Sequence, residues 1–166
     1  IVIIKLKGYD RMNNNLVVYF SCSGETKKVA EELKSVLNCD IFEIVPETVY
    51  TDRDLDWNDK NSRSTVEMDD ESCRPRIRNR IDNIDKYDTI YLGFPIWWYT
   101  APKIINTFLD SYDFSNKKVI LYCTSGGSSI DKTYNDLKDS YPNIDFIKGS
   151  RLYSNSDIDS FVNSVK

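Results

Sequence analysis

The feature that most constrains the fold of this 166-residue chain is an alternation of strand-like and helix-like segments that starts at residue 16. The strand-like segments are short apolar runs rich in β-branched and aromatic residues, as in strands buried on both faces. The helix-like segments are longer, and their apolar residues recur at the spacing of one helical face. The strand-like runs are 16–20, 41–45, 89–93, 119–123 and 144–147, and the helix-like stretches are 26–37, 76–84, 102–109, 130–141 and 158–165.

Five strands that alternate with helices predict an α/β fold, because strands joined through helices run parallel and must be covered on both faces. We therefore expect a three-layer, doubly wound, five-stranded parallel sheet with right-handed connections. In such sheets, ligands bind beyond the carboxyl ends of the strands, at the switch point in strand order. The loops after the first, third and fourth strands are therefore the expected site of function.

The composition excludes several kinds of chemistry. The chain has no histidine, so it can form neither a Ser-His-Asp triad nor an imidazole-ligated metal site. Its four cysteines lie far apart without a C-x-x-C spacing, which disfavours zinc and dithiol redox chemistry and is typical of reduced thiols in a cytoplasmic protein. A net charge of −4 argues against nucleic acid and favours a basic protein partner. The apolar runs are too short for a membrane span.

The loop after the first strand has the pattern of a phosphate cradle. It reads Ser21-Cys22-Ser23-Gly24-Glu25-Thr26 and leads directly into a helix. The unpaired N–H groups and the positive dipole end of a helix attract anions, and glycine lets the backbone approach closely. The hydroxyls would donate to the remaining phosphate oxygens. A serine-rich helix-capping turn would have the same composition, so both interpretations stay open.

Other phosphate motifs do not match this loop. It is neither the G-x-x-x-x-G-K-[ST] of NTPases nor the G-x-G-x-x-G of dinucleotide-binding folds. A small tyrosine phosphatase would need Cys-x5-Arg, but the residue at that spacing from Cys22 is Lys28. A receiver domain would need acidic residues where Phe20 and Gly93 stand.

The loop after the third strand is aromatic. It runs from Phe94 to Pro102 and contains Trp97, Trp98 and Tyr99 in a row. Three adjacent aromatic residues cannot all point into a core, whereas they could stack on a planar aromatic ligand. The alternative is a hydrophobic plug or a protein contact patch. The loop after the fourth strand, residues 124–129, combines two glycines with four hydroxyls, and its amides could face a polar heterocycle.

Two segments lie outside the alternating pattern. Residues 1–11 precede Met12, and we interpret them as sequence added for expression or translated from upstream, or else as an added edge strand; residues 12–166 form the predicted single domain. Residues 47–72 carry nine acidic and three basic residues and precede four arginines. This acidic segment is either a solvated loop that pairs with those arginines, or a lid that covers a ligand with Tyr50 and Trp57.

Together these motifs resemble the flavodoxins, in particular a bacterial branch whose third-strand loop reads G-x-P-I-W-W followed by a proline. The resemblance covers 16–33, 87–109 and 119–129, and it implies FMN as cofactor and the strand order 2-1-3-4-5. It would place the FMN phosphate at Ser21, Cys22, Ser23, Gly24, Glu25 and Thr26. It would place the isoalloxazine ring against Pro95, Ile96, Trp97, Trp98 and Tyr99. The polar ring edge and ribityl chain would meet Thr124, Ser125, Gly126 and Gly127.

The resemblance implies an electron-transfer protein in which FMN carries the redox chemistry and redox proteins are the partners. One alternative is an NAD(P)H-dependent quinone or FMN reductase. Another is a regulatory or binding module that kept the fold and lost the cofactor. The loop 94–98 departs from many flavodoxins, which have a glycine beside flavin N5; here Gly93 is the nearest glycine.

Overall fold

The computed structural model describes residues 14–153 and 155–166, and in this part of the chain five parallel strands alternate with five α-helices. The strands are β1 (Asn15–Tyr19), β2 (Asp40–Glu43), β3 (Thr89–Pro95), β4 (Lys118–Thr124) and β5 (Asp145–Arg151). The helices are α1 (Glu25–Leu37), α2 (Arg63–Asp69), α3 (Lys103–Asp110), α4 (Asp131–Ser140) and α5 (Asn155–Val165). The prediction about residues 1–11 falls outside the described residues.

The sheet order is β2-β1-β3-β4-β5, and every neighbouring pair of strands is parallel. The predicted doubly wound α/β fold and its strand order are therefore confirmed. Across the described residues, none of the helices combines the length and the apolar character that crossing a bilayer requires.

Successive residues of the central strands pack alternately into two separate hydrophobic cores, one on each face of the sheet. Val18 of β1 packs on the face covered by α3 and α4, whereas its neighbours Val17 and Tyr19 pack on the face covered by α1 and α5. Because side chains of a strand point alternately to opposite faces, a sheet covered on both sides needs apolar residues at every position. This requirement explains the uninterrupted apolar runs in the sequence.

The helix expected over 76–84 is wrong. This part of the chain is extended: Glu47 N donates to Arg76 O at 2.9 Å, and Arg78 N donates to Val45 O at 2.8 Å. Helical bonding is confined to a short 3₁₀ turn at Ile84–Lys86. The isoleucines here have helical spacing, but Ile77 packs on the core from an extended backbone. Pairing with residues 45–47 satisfies the backbone groups that a helix would otherwise satisfy internally.

Helix α2 lies inside the acidic segment, for which the sequence predicted no helix. Its seven residues are too few to form a stable helix alone. The side chain of Ser62 caps it by accepting a hydrogen bond from Thr65 N at 3.3 Å. The remaining stabilisation comes from contacts with the rest of the protein, which a periodicity argument cannot detect.

Gly93 permits the close packing of β3 against β4. It pairs with Tyr122 in the strand register, and the Tyr122 ring covers the space that a side chain at position 93 would fill. Tyr122 is fully buried, and its hydroxyl donates to Val18 O at 3.2 Å. Burial and this hydrogen bond restrict movement of the ring.

We expect Gly93→Ala to lower the free energy of unfolding by about 2–3 kcal/mol, because the added methyl would overlap the fixed Tyr122 ring. Gly126→Ala is the matched control, since a Cβ there would meet no atom within 4 Å. Urea denaturation of both variants measures the difference. Equal stability of the two variants would contradict this account of the packing.

Candidate functional site

A cavity of about 560 Å³ lies at the carboxyl ends of the strands. Its size falls within the range of cofactor and small-molecule sites. The loops after β1, β3 and β4 all reach it, as the strand order requires, and the acidic segment 47–72 forms a further wall. The described lining residues are Cys22, Ser23, Leu55, Trp57, Ser64, Pro95, Ile96, Trp97, Trp98, Tyr99 and Ser128.

The first turn of α1 carries the predicted cradle. Gly24 precedes the helix with a left-handed φ of 91°, and its N–H donates to Ser21 Oγ at 3.2 Å. The first helical hydrogen bond runs from Lys28 N to Gly24 O at 3.0 Å. The N–H groups of residues 25–27 precede it and have no acceptor within the helix. With the positive end of the helix dipole, they are suited to an anion.

Open space lies over this cradle, because a Cβ at Gly24 would meet no atom within 4 Å. Ser21 acts as a hydrogen-bond acceptor and so keeps its own proton to donate. Ser23 and Glu25 are exposed. The side chains of Ser21 and Ser23 therefore leave the amides of this loop and their own hydroxyl protons available.

Thr26 lies differently from the expectation that its hydroxyl donates into the cradle. Its Oγ1 is 2.7 Å from Thr124 Oγ1, and both residues are buried. This hydrogen bond joins the start of α1 to the end of β4. Thr26 and Thr124 thus hold two of the three loops together.

Burial raises the pKa of the Cys22 thiol to about 12, against the lowering effect of Arg63. The thiol is therefore protonated at neutral pH and cannot act as the thiolate nucleophile that a phosphatase needs. Its position in the lining makes it an apolar contact.

The aromatic loop is a two-residue hairpin turn. Trp97 N donates to Thr100 O at 2.9 Å, and Thr100 N donates to Trp97 O at 3.0 Å. The two central residues, Trp98 and Tyr99, have left-handed φ values of 46° and 66°. This is a type I′ turn, which normally contains asparagine and glycine. Two bulky residues in these conformations store backbone strain.

The turn separates the three aromatic residues. Trp97 points inward, with its ring 5.7 Å from Phe20 and 5.4 Å from Tyr50. Trp98 and Tyr99 are 40% and 69% exposed at the mouth of the cavity. Trp97 therefore belongs to the floor of the cavity, and the other two present apolar surface to whatever enters it.

The loop after β4 forms the third side of the cavity. Ser125 Oγ donates to Ser128 O at 2.6 Å, and Arg151 Nε donates to Ser125 O at 3.2 Å. Between these anchors, Gly126 and Gly127 are exposed, with open space where a side chain would be. Their backbone is therefore accessible, although neither residue lines the cavity.

The acidic segment reaches the cavity through Leu55, Trp57 and Ser64. Its pairing with the arginines that follow is weak: Arg76 lies 4.0 Å from Glu47 at the surface, whereas Arg74 binds Asp110 at 2.7 Å. The structure supports the lid interpretation in part: Leu55 and Trp57 line the cavity, whereas Tyr50 does not. Contact between Trp57 and a ligand stays a prediction.

A partly buried network fixes the segment to the floor of the cavity. Tyr50 OH donates to Glu67 at 2.6 Å, and Arg63 Nε donates to the other Glu67 oxygen at 2.8 Å. The Arg63 guanidinium stacks 3.7 Å above the Tyr50 ring. Burial and the bond to Glu67 raise the pKa of Tyr50, so its phenol remains a neutral donor. Ser64, beside Arg63, is a lining residue that the sequence analysis missed, because no local motif marks it.

Comparisons with known proteins agree with this architecture. The sequence model of the flavodoxins matches residues 14–165. A candidate flavoprotein from Bacteroides eggerthii is 41% identical, with 91% of this chain and 96% of that chain covered and a TM-score of 0.88. One from Bacteroides uniformis is 44% identical, with coverage of 90% and 97% and a TM-score of 0.86. No curated protein matches significantly.

A more distant structure is a flavoprotein from Lactobacillus acidophilus in complex with FMN. It is 26% identical, with 89% of this chain and 97% of that chain covered and a TM-score of 0.68. The sequence and the strand order of this chain thus point to the same family.

The strain in the turn can be measured. We expect Tyr99→Gly to raise the free energy of unfolding by about 0.5–1 kcal/mol, because glycine adopts a left-handed φ without steric cost. Tyr153→Gly is the matched control: Tyr153 is 68% exposed, and its φ is not left-handed. That variant should lose at least about 1 kcal/mol of unfolding free energy, because it gains unfolded-state entropy and also loses the contact of the Arg151 guanidinium with the Tyr153 ring. Similar destabilisation of both variants would show that the turn is unstrained.

Proposed function

The chain belongs to the flavodoxin family, and from this premise we propose that it binds FMN in the cavity and acts as an electron carrier. The observation that supports the proposal is the meeting of an anion cradle and an aromatic mouth in one cavity. These are the two recognition elements that a ligand with a phosphate and a planar ring requires. The similar protein from Lactobacillus acidophilus was solved in complex with FMN.

The residues present fit this cofactor. In the proposed arrangement the phosphate binds the amides of residues 25–27 and the hydroxyls of Ser21 and Ser23. The ring lies against Trp98, Tyr99 and the backbone of residues 95–96. The open backbone at residues 126–127 faces the polar edge of the ring and the ribityl chain.

FMN, when bound, supplies the redox chemistry. The protein binds and orients it and excludes water, and no described residue that lines the cavity carries a charge. Burial raises the pKa of the Cys22 thiol, so this side chain meets the cofactor in its neutral form. The acidic segment carries a net charge of −6. Its negative charge opposes the addition of electrons nearby and so lowers the reduction potential.

The exposure of aromatic residues at the mouth of the cavity supports a role as an electron carrier. Trp98 and Tyr99 reach the surface, so a ring held against them would have an edge close to a docked protein. The acidic composition favours a partner with a basic surface. This arrangement supports electron exchange with redox proteins as the proposed role.

The cradle can be tested with two substitutions of nearly equal shape. We expect Gly24→Asp to weaken FMN binding at least about 100-fold, because its carboxylate would repel the phosphate at close range. The asparagine of Gly24→Asn has the same size and a similar tolerance of a left-handed φ, so this variant should lose less than about tenfold in FMN affinity. Titration of flavin fluorescence measures both affinities.

Equal losses in these two variants would contradict a phosphate at Gly24. Failure of the unaltered protein to retain FMN after saturation and desalting would overturn the proposed function and favour the regulatory module.

The role as carrier predicts poor reactivity with NADPH. When the FMN-loaded protein is mixed anaerobically with NADPH, we expect flavin reduction far slower than the roughly 1–10³ s⁻¹ of typical enzymes. Dithionite, as a control, should bleach the same sample rapidly. Rapid bleaching by NADPH without a partner protein would instead identify a reductase.

A further inference from the structure

The buried hydroxyl of Ser64 has no hydrogen-bond partner in the described part of the chain. Within that part, Thr133 Oγ1 is the other such buried side-chain atom, but Thr133 does not line the cavity and Ser64 does. Ser64 is 1% exposed, so its hydroxyl is almost enclosed by protein atoms. A buried polar group without a partner is costly and calls for a specific explanation.

The surrounding structure holds Ser64 in place. Its backbone N–H donates to Asp54 O at 2.9 Å. The preceding residue, Arg63, is fixed by Glu67, by the Tyr50 ring and by a bond to Thr48 O at 2.7 Å. Tyr50 in turn packs on Trp97 in the floor of the cavity. α2 cannot shift to give Ser64 another partner without breaking this network, so only rotation of the side chain about its Cα–Cβ bond can turn the hydroxyl toward a ligand in the cavity.

We infer that Ser64 is a cofactor-binding residue whose hydroxyl donates a hydrogen bond to an oxygen of bound FMN. The inference rests on the proposed function. It makes α2 a fourth wall of the site, beside the loops after β1, β3 and β4. The missing partner is then supplied by the ligand, whose phosphate, ribityl and ring oxygens all accept hydrogen bonds.

This role predicts opposite effects of Ser64→Ala on the free and the loaded protein. Removal of an unpartnered hydroxyl should leave the melting temperature of the ligand-free protein unchanged or raise it by up to about 3 °C. FMN binding should weaken about tenfold, which corresponds to about 1.4 kcal/mol. A purely structural serine would not separate these two measurements.

Thr133→Val is the matched control. It removes the buried hydroxyl that, with Ser64, has no partner among the described residues, and it lies away from the cavity. We expect unchanged or higher thermal stability and an FMN affinity within about twofold of the unaltered protein. If Thr133→Val weakens FMN binding as much as Ser64→Ala does, the inference is overturned, because the loss of affinity would then not depend on a position in the cavity wall.

Parallel titrations with riboflavin locate the contact. A loss with FMN alone places the Ser64 bond at the phosphate, and a loss with both ligands places it at the ribityl chain or the ring; either result supports the inference. If the unaltered protein binds FMN and Ser64→Ala binds it equally well, the inference fails while the proposed function stands. If the unaltered protein does not bind FMN, the proposed function fails and the inference with it.

Discussion

The reversal of strand order around β1 is the constraint on which the rest of this structure depends. β2 lies on one side of β1 and β3 on the other, so the chain covers opposite faces of the sheet as it leaves β1 and β3: α1 packs on one face and α3 on the other. The loops that begin these helices therefore diverge, and a crevice opens between them. The anion cradle and the aromatic turn come together because of this geometry.

The site combines a rigid frame with local strain. Hydrogen bonds tie its loops to one another: Thr26 to Thr124, and Ile96 N to Thr124 O at 3.0 Å. Against this frame the backbone holds Trp98 and Tyr99 in conformations that bulky residues avoid. Strain of this kind persists where surrounding contacts enforce it, and here it keeps two aromatic faces at the mouth of the cavity. Under the proposed function, the expected cost in stability would accompany a gain in contact with the cofactor.

The long connection between β2 and β3 shows where local pattern is informative and where it is not. Helical spacing of isoleucines suggested a helix over 76–84, but residues 45–47 compete for the same backbone groups and keep the chain extended. The helix that does form, α2, has few apolar residues and depends on Arg63, Glu67 and Tyr50. These interactions link residues up to 17 positions apart. A window of helical periodicity cannot register them.

The sequence by itself determined the layered α/β fold and the three loops that converge, because uninterrupted apolar runs, helical spacing and glycine-rich turns are properties of neighbouring residues. Tertiary structure decided how the side chains are used. It placed Trp97 in the floor of the cavity and left Trp98 and Tyr99 exposed at the mouth. It paired Thr26 with a residue 98 positions away and brought Ser64 to the cavity wall. These outcomes depend on which elements lie side by side after folding, and the local composition of the sequence does not determine those neighbours.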